Sequence, residues 1–184
     1  QVSFDNPGTA SDGQRTNDQF DMFNGSPERY DWKLVGRREL LVPYNCYKAH
    51  NAEVDPKNLI EAGHLNPDML RYEKHRVWEV DAVVKDGTSH LYKRRTFFFD
   101  EDSWQALVID QYDNSDNIWR VSEAYPIIYY DLPALYDTLL SHYDLDNGRY
   151  LTIGFNAKGN VEKWVSDLKD SDFSAASLSR RGKR

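Results

Sequence analysis

Residues 71–112 read R-Y-E-K-H-R-V-W-E-V-D-A-V-V-K-D-G-T-S-H-L-Y-K-R-R-T-F-F-F-D-E-D-S-W-Q-A-L-V-I-D-Q-Y, and this stretch decides the fold. Between Arg71 and Val84 the even positions carry Tyr72, Trp78, Val80, Ala82 and Val84, and the odd ones carry Arg71, Glu73, His75, Glu79 and Asp81. Strand side chains alternate between two faces, so this period of two predicts a half-buried strand. Asp86-Gly87 supplies a turn that tolerates positive φ, and the run from His90 to Asp100 returns as its hairpin partner. A two-residue loop would set Glu79 opposite Arg94. A four-residue loop would instead set Asp81 opposite Arg94 and His75 opposite Asp100, and the two registers place Trp78 beside Arg95 or Phe97. Ser103 to Tyr112 reads as a third strand with Trp104, Ala106 and Val108 on one side and Leu107 and Ile109 on the other, so both faces are at least partly covered.

The same logic extends outward. Tyr30 to Leu34 and Arg37 to Val42, split by Gly36, predict two short strands or one strand with a bulge. In the segment from Cys46 to Met69, Asp55-Pro56 and Asn66-Pro67 each place a capping side chain before a proline suited to the first helical position. Short helical turns crossing the sheet, like a lid, are expected there. Ile118 to Tyr125 returns as a strand, and Pro126 and Pro133 bound an aromatic segment, Tyr129-Tyr130, expected at an edge. Thr138 to Leu145 and Arg149 to Phe155 flank Asn147-Gly148, a strong hairpin signal, and Ala157 to Asn160 can turn once more into Val161 to Val165. Ser171 to Leu178 suits a short helix capped by Ser171 or Ser174 and followed by a basic tail. The expected organisation is an irregular arm over 1–29, an antiparallel β domain over 30–170, and a helix with basic tail over 171–184.

Length and composition agree. The 184 residues suffice for one domain with a proper core, and twelve Tyr, eight Phe and five Trp favour strands over a helical bundle. A net charge of -7 argues against a protein built to neutralise a nucleic-acid backbone. The single cysteine, Cys46, cannot close an internal disulfide. No apolar run is long enough for a membrane-spanning helix, and the polar opening resembles a linker or a cut inside a longer protein.

Candidate chemistry is sparse. His75 and His90, with Asp100 to Asp102 following, match none of the usual metal-ligand spacings, and no metal or cofactor is expected. Asp113 to Asn117 and Asp144 to Gly148 look like calcium loops only superficially, because the first has Ala124 where a bidentate glutamate belongs and the second has Arg149 at its sixth position. No nucleophile motif surrounds any serine or Cys46, and no carboxylate pair stands out for acid and base duty, so the protein is not expected to be an enzyme. Lys93-Arg94-Arg95 alternates across a strand and makes no concentrated basic patch. The aromatic positions remain. Tyr72, Trp78, Val80, Phe97, Phe99, Trp104, Val108 and Trp119 are the candidate wall of a lipophilic site, against the plainer reading that they form the core of a sheet with few helices.

A resemblance adds direction. Y-D-W-K-L-V-G-R-R-E-L-L-V-P-Y-N from Tyr30, G-H-L-N-P-D-M-L-R-Y-E-K-H-R-V-W from Gly63, E-D-S-W from Glu101, D-Q-Y-D from Asp110 and I-W-R-V-S-E-A from Ile118 resemble the domain of unknown function 1329 family, as does the ending F-S-A-A-S-L-S-R-R-G-K-R. That family comprises secreted proteins of Gram-negative bacteria, often labelled outer membrane lipoprotein-sorting protein. Its members are roughly twice this length, so the chain resembles their C-terminal part. The resemblance implies a mainly β fold, a strongly curved antiparallel sheet forming part of an unclosed barrel like those of the LolA and LolB carriers. It further implies a periplasmic, outer-membrane-associated carrier whose cargo is a lipid or an acylated protein. An inner-membrane transporter and outer-membrane proteins are the expected partners, nucleic acid is not, and a second copy of the chain would complete the sheet. The alternative is a structural or interaction module of an envelope transport complex.

Overall fold

The computed structural model describes residues 8–155 and 164–181. Two short strands, β1 (Thr9–Ala10) and β2 (Arg15–Thr16), make a small hairpin within the N-terminal arm. The main sheet contains β3 (Tyr30–Pro43), β4 (Tyr72–Val84), β5 (Arg94–Asp100), β6 (Ala106–Tyr112), β7 (Ile118–Tyr129), β8 (Ala134–Asp144) and β9 (Tyr150–Ile153). All pairs are antiparallel and spatial order follows chain order, so the sheet is a simple meander, curved and not closed. β3 is a single strand whose register shifts between Leu34 and Gly36.

The register of the central hairpin differs from both sequence expectations. Trp78 stands opposite Phe99, and Asp81 opposite Thr96. The reason lies in 85–93. Gly87 takes φ +78 in a turn closed by Thr88 N–H donating to Lys85 O, yet the chain does not return at once. His90 and Tyr92 dive inward first, and Tyr92 is fully buried. The third strand also departs from plain alternation. Phe98 pairs with Val108 but Phe99 pairs with Ala106, so Leu107 is the extra residue of a bulge. Leu107 and Val108 therefore share the face of Phe98, while Ala106 and Ile109 share that of Phe97.

Each face has its own cover. On one, Val42, Tyr44, Val77, Phe98 and Leu107 pack together, and Cys46, Ala49, Leu59 and Leu65 pack on Tyr125 and Leu139. The crossing segment supplies α1 (Tyr47–His50) and two 3-10 turns, Pro56–Asn58 and Pro67–Met69. The Asp55 and Asn66 side chains accept from Lys57 N–H and Asp68 N–H, the capping roles their positions before proline suggested. Pro126 lies inside β7, just past Glu123, the last residue paired with β6, so its missing N–H costs no ladder bond there. After Val165 a 3-10 turn (Asp170–Phe173) leads into α2 (Ala175–Arg181), whose Ser177 N–H donates to Ser174 Oγ. The expected turn over 157–160 and the end of the basic tail lie outside the described residues.

The other face is covered by the arm. Met22 joins Tyr30, Ala82, Phe97, Ile109 and Ala124 in a buried cluster, and Phe23 packs edge-on against Tyr30, Trp32 and Phe97. Beside this apolar half runs a polar half: Arg95, Gln111, Arg120 and Asp144 stand in one cross-strand row, and Ser122 and His142 in the next. All are buried. Asp18 of the arm drops into this row, where Arg95 Nη2 meets its two oxygens at 2.9 and 2.8 Å. His90 Nδ1 accepts from Tyr92 N–H, so its proton sits on Nε2 and is donated to Asp18 at 2.9 Å. Gln19 bridges Tyr92 and Ser122, and Ser122 meets His142 Nδ1 at 2.8 Å. Burial, with the charges of Arg15 and Arg120 beside it, brings His142 down to about 3, so its imidazole is neutral. Gly25 closes the arm, since a Cβ there would lie 2.8 Å from the Phe23 ring and 3.1 Å from Asp18 Oδ2.

Burial alone would raise the Asp18 carboxyl, but the His90 hydrogen bond and the Arg95 charge outweigh it and hold the group well below the usual carboxylate range. Its folded value therefore lies under the unfolded one, so the stability it contributes is whole above about pH 4 and is lost as acid protonates the folded group. Asp18→Asn strands Arg95 and is expected to cost about 3–5 kcal/mol in urea unfolding at pH 7. Repeating the titration down the pH scale should show the gap between variant and parent closing under acid.

Candidate functional site: an apolar groove beside the arm

The arm leaves part of its own face open. Leu34 of β3, Trp78 and Val80 of β4, Phe99 of β5 and Trp104 line a groove of about 400 Å³. Cross-strand pairing assembles it: Leu34 stands opposite Val80, and Trp78 opposite Phe99. Phe99 lies parallel over Phe97, ring centroids 5.7 Å apart, and Trp32 tilts onto Phe97 at 5.4 Å. Leu34 is 61% and Trp104 69% exposed, which makes this an apolar surface in contact with water rather than core.

Trp104 owes its position to the turn before it. Asp100 is fully buried and accepts from Ser103 N–H at 2.9 Å, Ser103 Oγ at 2.6 Å, and His75 Nδ1 at 2.8 Å, with the Tyr44 hydroxyl at 3.4 Å. Tyr44 also lies over the His75 ring at 4.1 Å. The turn so clamped holds Trp104 at φ +62, a conformation unfavourable for a bulky residue. His75, Asp100 and Asp102 offer three donor atoms within 4.8 Å of one another, a grouping that could hold a metal ion. Both oxygens of Asp100 are already engaged by protein donors, so the residues present fit a structural clamp better than a metal centre.

Two polar features border the groove. Arg37 lies with Cζ 5.0 Å from the Trp78 ring centroid and pairs with Glu101 at 3.0 Å. Trp78 Nε1 is buried and has no hydrogen-bond partner, one unpaired donor in an otherwise hydrocarbon wall.

Of the eight candidate residues, the structure brings four together here: Trp78, Val80, Phe99 and Trp104. Phe97 lies beneath them, completely buried and sealed by the arm. Val108 faces the other side with Phe98. Trp119 sits where the β6–β7 register shifts, against Tyr92 and under Arg120. The Tyr72 hydroxyl donates to Glu123, a carboxyl that burial pushes upward. Leu34 is the lining residue the sequence reading missed; the alternation Tyr30, Trp32, Leu34 carries the signal.

Comparison with known proteins gives three findings. The model of the family described as Protein of unknown function (DUF1329) matches residues 1–179. The Pseudomonas aeruginosa protein called Uncharacterized protein PA3922 is 47% identical over 188 residues, a match that takes in 100% of this chain and 41% of that protein. The chain thus spans about two fifths of that relative's length. A putative outer membrane lipoprotein-sorting protein domain from Vibrio parahaemolyticus superposes with a TM-score of 0.50 at 11% identity, over 97% of this chain and 60% of that one. At that identity the likeness is one of fold.

The Asp100 clamp and the Trp104 conformation give separable expectations. Asp100→Ala should cost about 3 kcal/mol or more, because His75 and Ser103 lose a buried charged partner. Trp104→Gly should leave stability within about 1 kcal/mol of the parent, since glycine takes positive φ without strain. Urea unfolding curves of the two variants check both.

Proposed function

Because the chain belongs to the family described as Protein of unknown function (DUF1329), and a lipoprotein-sorting protein domain shares its fold, we propose that it is a non-enzymatic binding module for a lipophilic ligand, a lipid or the acyl chain of an acylated protein, in Gram-negative envelope transport. The observation that carries this reading is the open hydrocarbon groove of Leu34, Trp78, Val80, Phe99 and Trp104. An acyl chain laid there gains about 0.8 kcal/mol for each methylene removed from water. The unpaired Trp78 Nε1 suits an ester or amide carbonyl at the head of such a chain, and Arg37 at the rim suits a negatively charged group beyond it. Strained backbone at Trp104 agrees with a site kept for binding at some expense in stability. A periplasmic, outer-membrane-associated location and handover between an inner-membrane transporter and outer-membrane proteins belong to this proposal.

One observation favours a second reading, an interaction module. β3 runs from Tyr30 to Pro43 at the edge of the sheet and exposes Leu34, Val35 and Leu41. A long edge strand with apolar side chains can add a strand from a partner or from a second copy of the chain.

Displacement of a fluorescent fatty acid separates the two. Under the carrier reading the probe binds the parent protein, and Leu34→Glu or Trp104→Glu, both at exposed positions, weakens it by roughly tenfold or more by placing charge against hydrocarbon. Absence of probe binding together with recovery of a protein partner at the β3 edge would replace the carrier reading with the interaction one.

A further inference from the structure

A second groove lies on the arm's other flank and differs in chemistry. It encloses about 450 Å³ between Phe20 and Asp21 of the arm, Gln105, and Asp137, Leu140 and Ile153 at the far side of the sheet. Asp137 reaches it through a bulge. β7 and β8 pair Ala124 with Leu140 and Tyr125 with Leu139, and then Pro126 with Asp137, which leaves Thr138 as the extra residue. Thr138 shares the face of Leu139 and bonds His50 Nδ1 at 2.8 Å. Asp137 is turned to the face of Leu140, where unbroken alternation would have put it on the opposite side.

Once there, its carboxyl is poorly served. Oδ2 accepts from Gln105 Nε2 at 2.6 Å, but Oδ1 is buried without a partner. Burial and the nearby Asp21 carboxylate push the group up to about 7. Asp21 is itself set in place by two consecutive left-handed residues, Asp21 at φ +51 and Met22 at φ +65. No lysine, arginine or histidine lines the groove among the described residues. A desolvated carboxyl with one oxygen unsatisfied, a second acid facing it and hydrocarbon on either side lacks a cation with an apolar body.

We infer that this groove binds the ammonium group of a primary amine carried on an apolar chain, the ammonium seated between Asp137 and Asp21 and the chain lying along Phe20, Leu140 and Ile153. The site is separate from the Trp78–Trp104 groove and does not rest on the reading given to that groove. Asp137 Oδ1 accepts one N–H and Asp21 a second, and Phe20 stands on the groove wall beside them. Where Asp137 holds a proton in the free protein, seating the ammonium drives that proton into solvent.

Isothermal titration of the full chain with n-octylammonium, n-octanol and n-octanoate tests the site. Octylammonium should bind roughly tenfold or more tightly than octanol or octanoate, the scale of a charge-assisted hydrogen bond. Titration at pH 7 in two buffers of different ionisation enthalpy should show release of about half a proton per amine bound, falling toward zero at pH 9. Asp137→Asn keeps a partner for Gln105 and removes an unpaired charge, so the variant should fold at least as stably as the parent while losing the octylammonium preference. Asp21→Asn, on an exposed residue, gives the same loss of preference to a smaller degree, and Asp131→Asn leaves it unchanged. Equal affinity for octanol and octylammonium, no proton release, or Asp131→Asn acting as strongly as Asp137→Asn would overturn the assignment.

Discussion

The contact between Asp18 and Arg95 is the constraint from which most of this structure follows. Arg95 is the second residue of β5 with its side chain 1% exposed, and a guanidinium cannot occupy such a place without a counter-ion. Among the described residues that counter-ion comes from the arm, as Asp18, so 14–25 becomes part of the sheet's interior rather than a trailing segment. The 85–93 connection is drawn into the same arrangement, since His90 must reach Asp18 and Tyr92 must reach Gln19. That requirement explains why the central hairpin closes with a longer loop and another register than its Asp86-Gly87 turn would produce alone. A buried ion pair of this kind adds modestly to stability but penalises every arrangement in which it is broken.

The architecture was legible in the sequence because alternation, proline and glycine act locally. The period of two across 71–84, the bulge at Gly36, the capped turns at Asp55-Pro56 and Asn66-Pro67, and the Asn147-Gly148 hairpin each depend on residues within a few positions of one another. The polar half of the arm-side face was not legible for the complementary reason. Arg95, Gln111, Arg120, His142 and Asp144 sit at alternating positions where a polar residue ordinarily means solvent, and only the long-range cover of Thr16, Asp18 and Gln19 turns that side inward. Lys93-Arg94-Arg95 alternates across its strand as expected, yet the face given to Arg95 is an interior one, and its charge is almost completely buried. The bulges at Leu107 and Thr138 follow the same rule. Each moves neighbouring side chains across the sheet, so Val108 left the candidate wall and Asp137 entered an unforeseen one.

The arm also divides its face by chemistry. Over the apolar half it inserts Met22 and Phe23, so Phe97 is core, while beyond the arm's reach the ring-bearing strands keep an accessible surface at Leu34, Trp78 and Trp104. The plain reading of the aromatic residues as sheet core and the reading of them as a lipophilic wall therefore hold for different members of one set. Where the arm lies, the Phe97 ring is sealed. Past it, rings meet water.

The sheet's connectivity has a kinetic consequence. Each strand of the main sheet pairs only with its neighbours in the chain, so from β4 to β9 strand pairing can propagate hairpin by hairpin with short loops to close, and only the β3–β4 pair must close the longer 44–71 segment. The arm obeys a different clock. Its partners Arg95, Ser122 and His142 come from β5, β7 and β8, and the Gln19–His142 contact spans 123 positions. On a ribosome the arm emerges before the strands it covers, and it finds its seat only after β8 is in place. Until that moment the row of charged and amide side chains beneath it remains hydrated, and the final step of folding is the expulsion of that water.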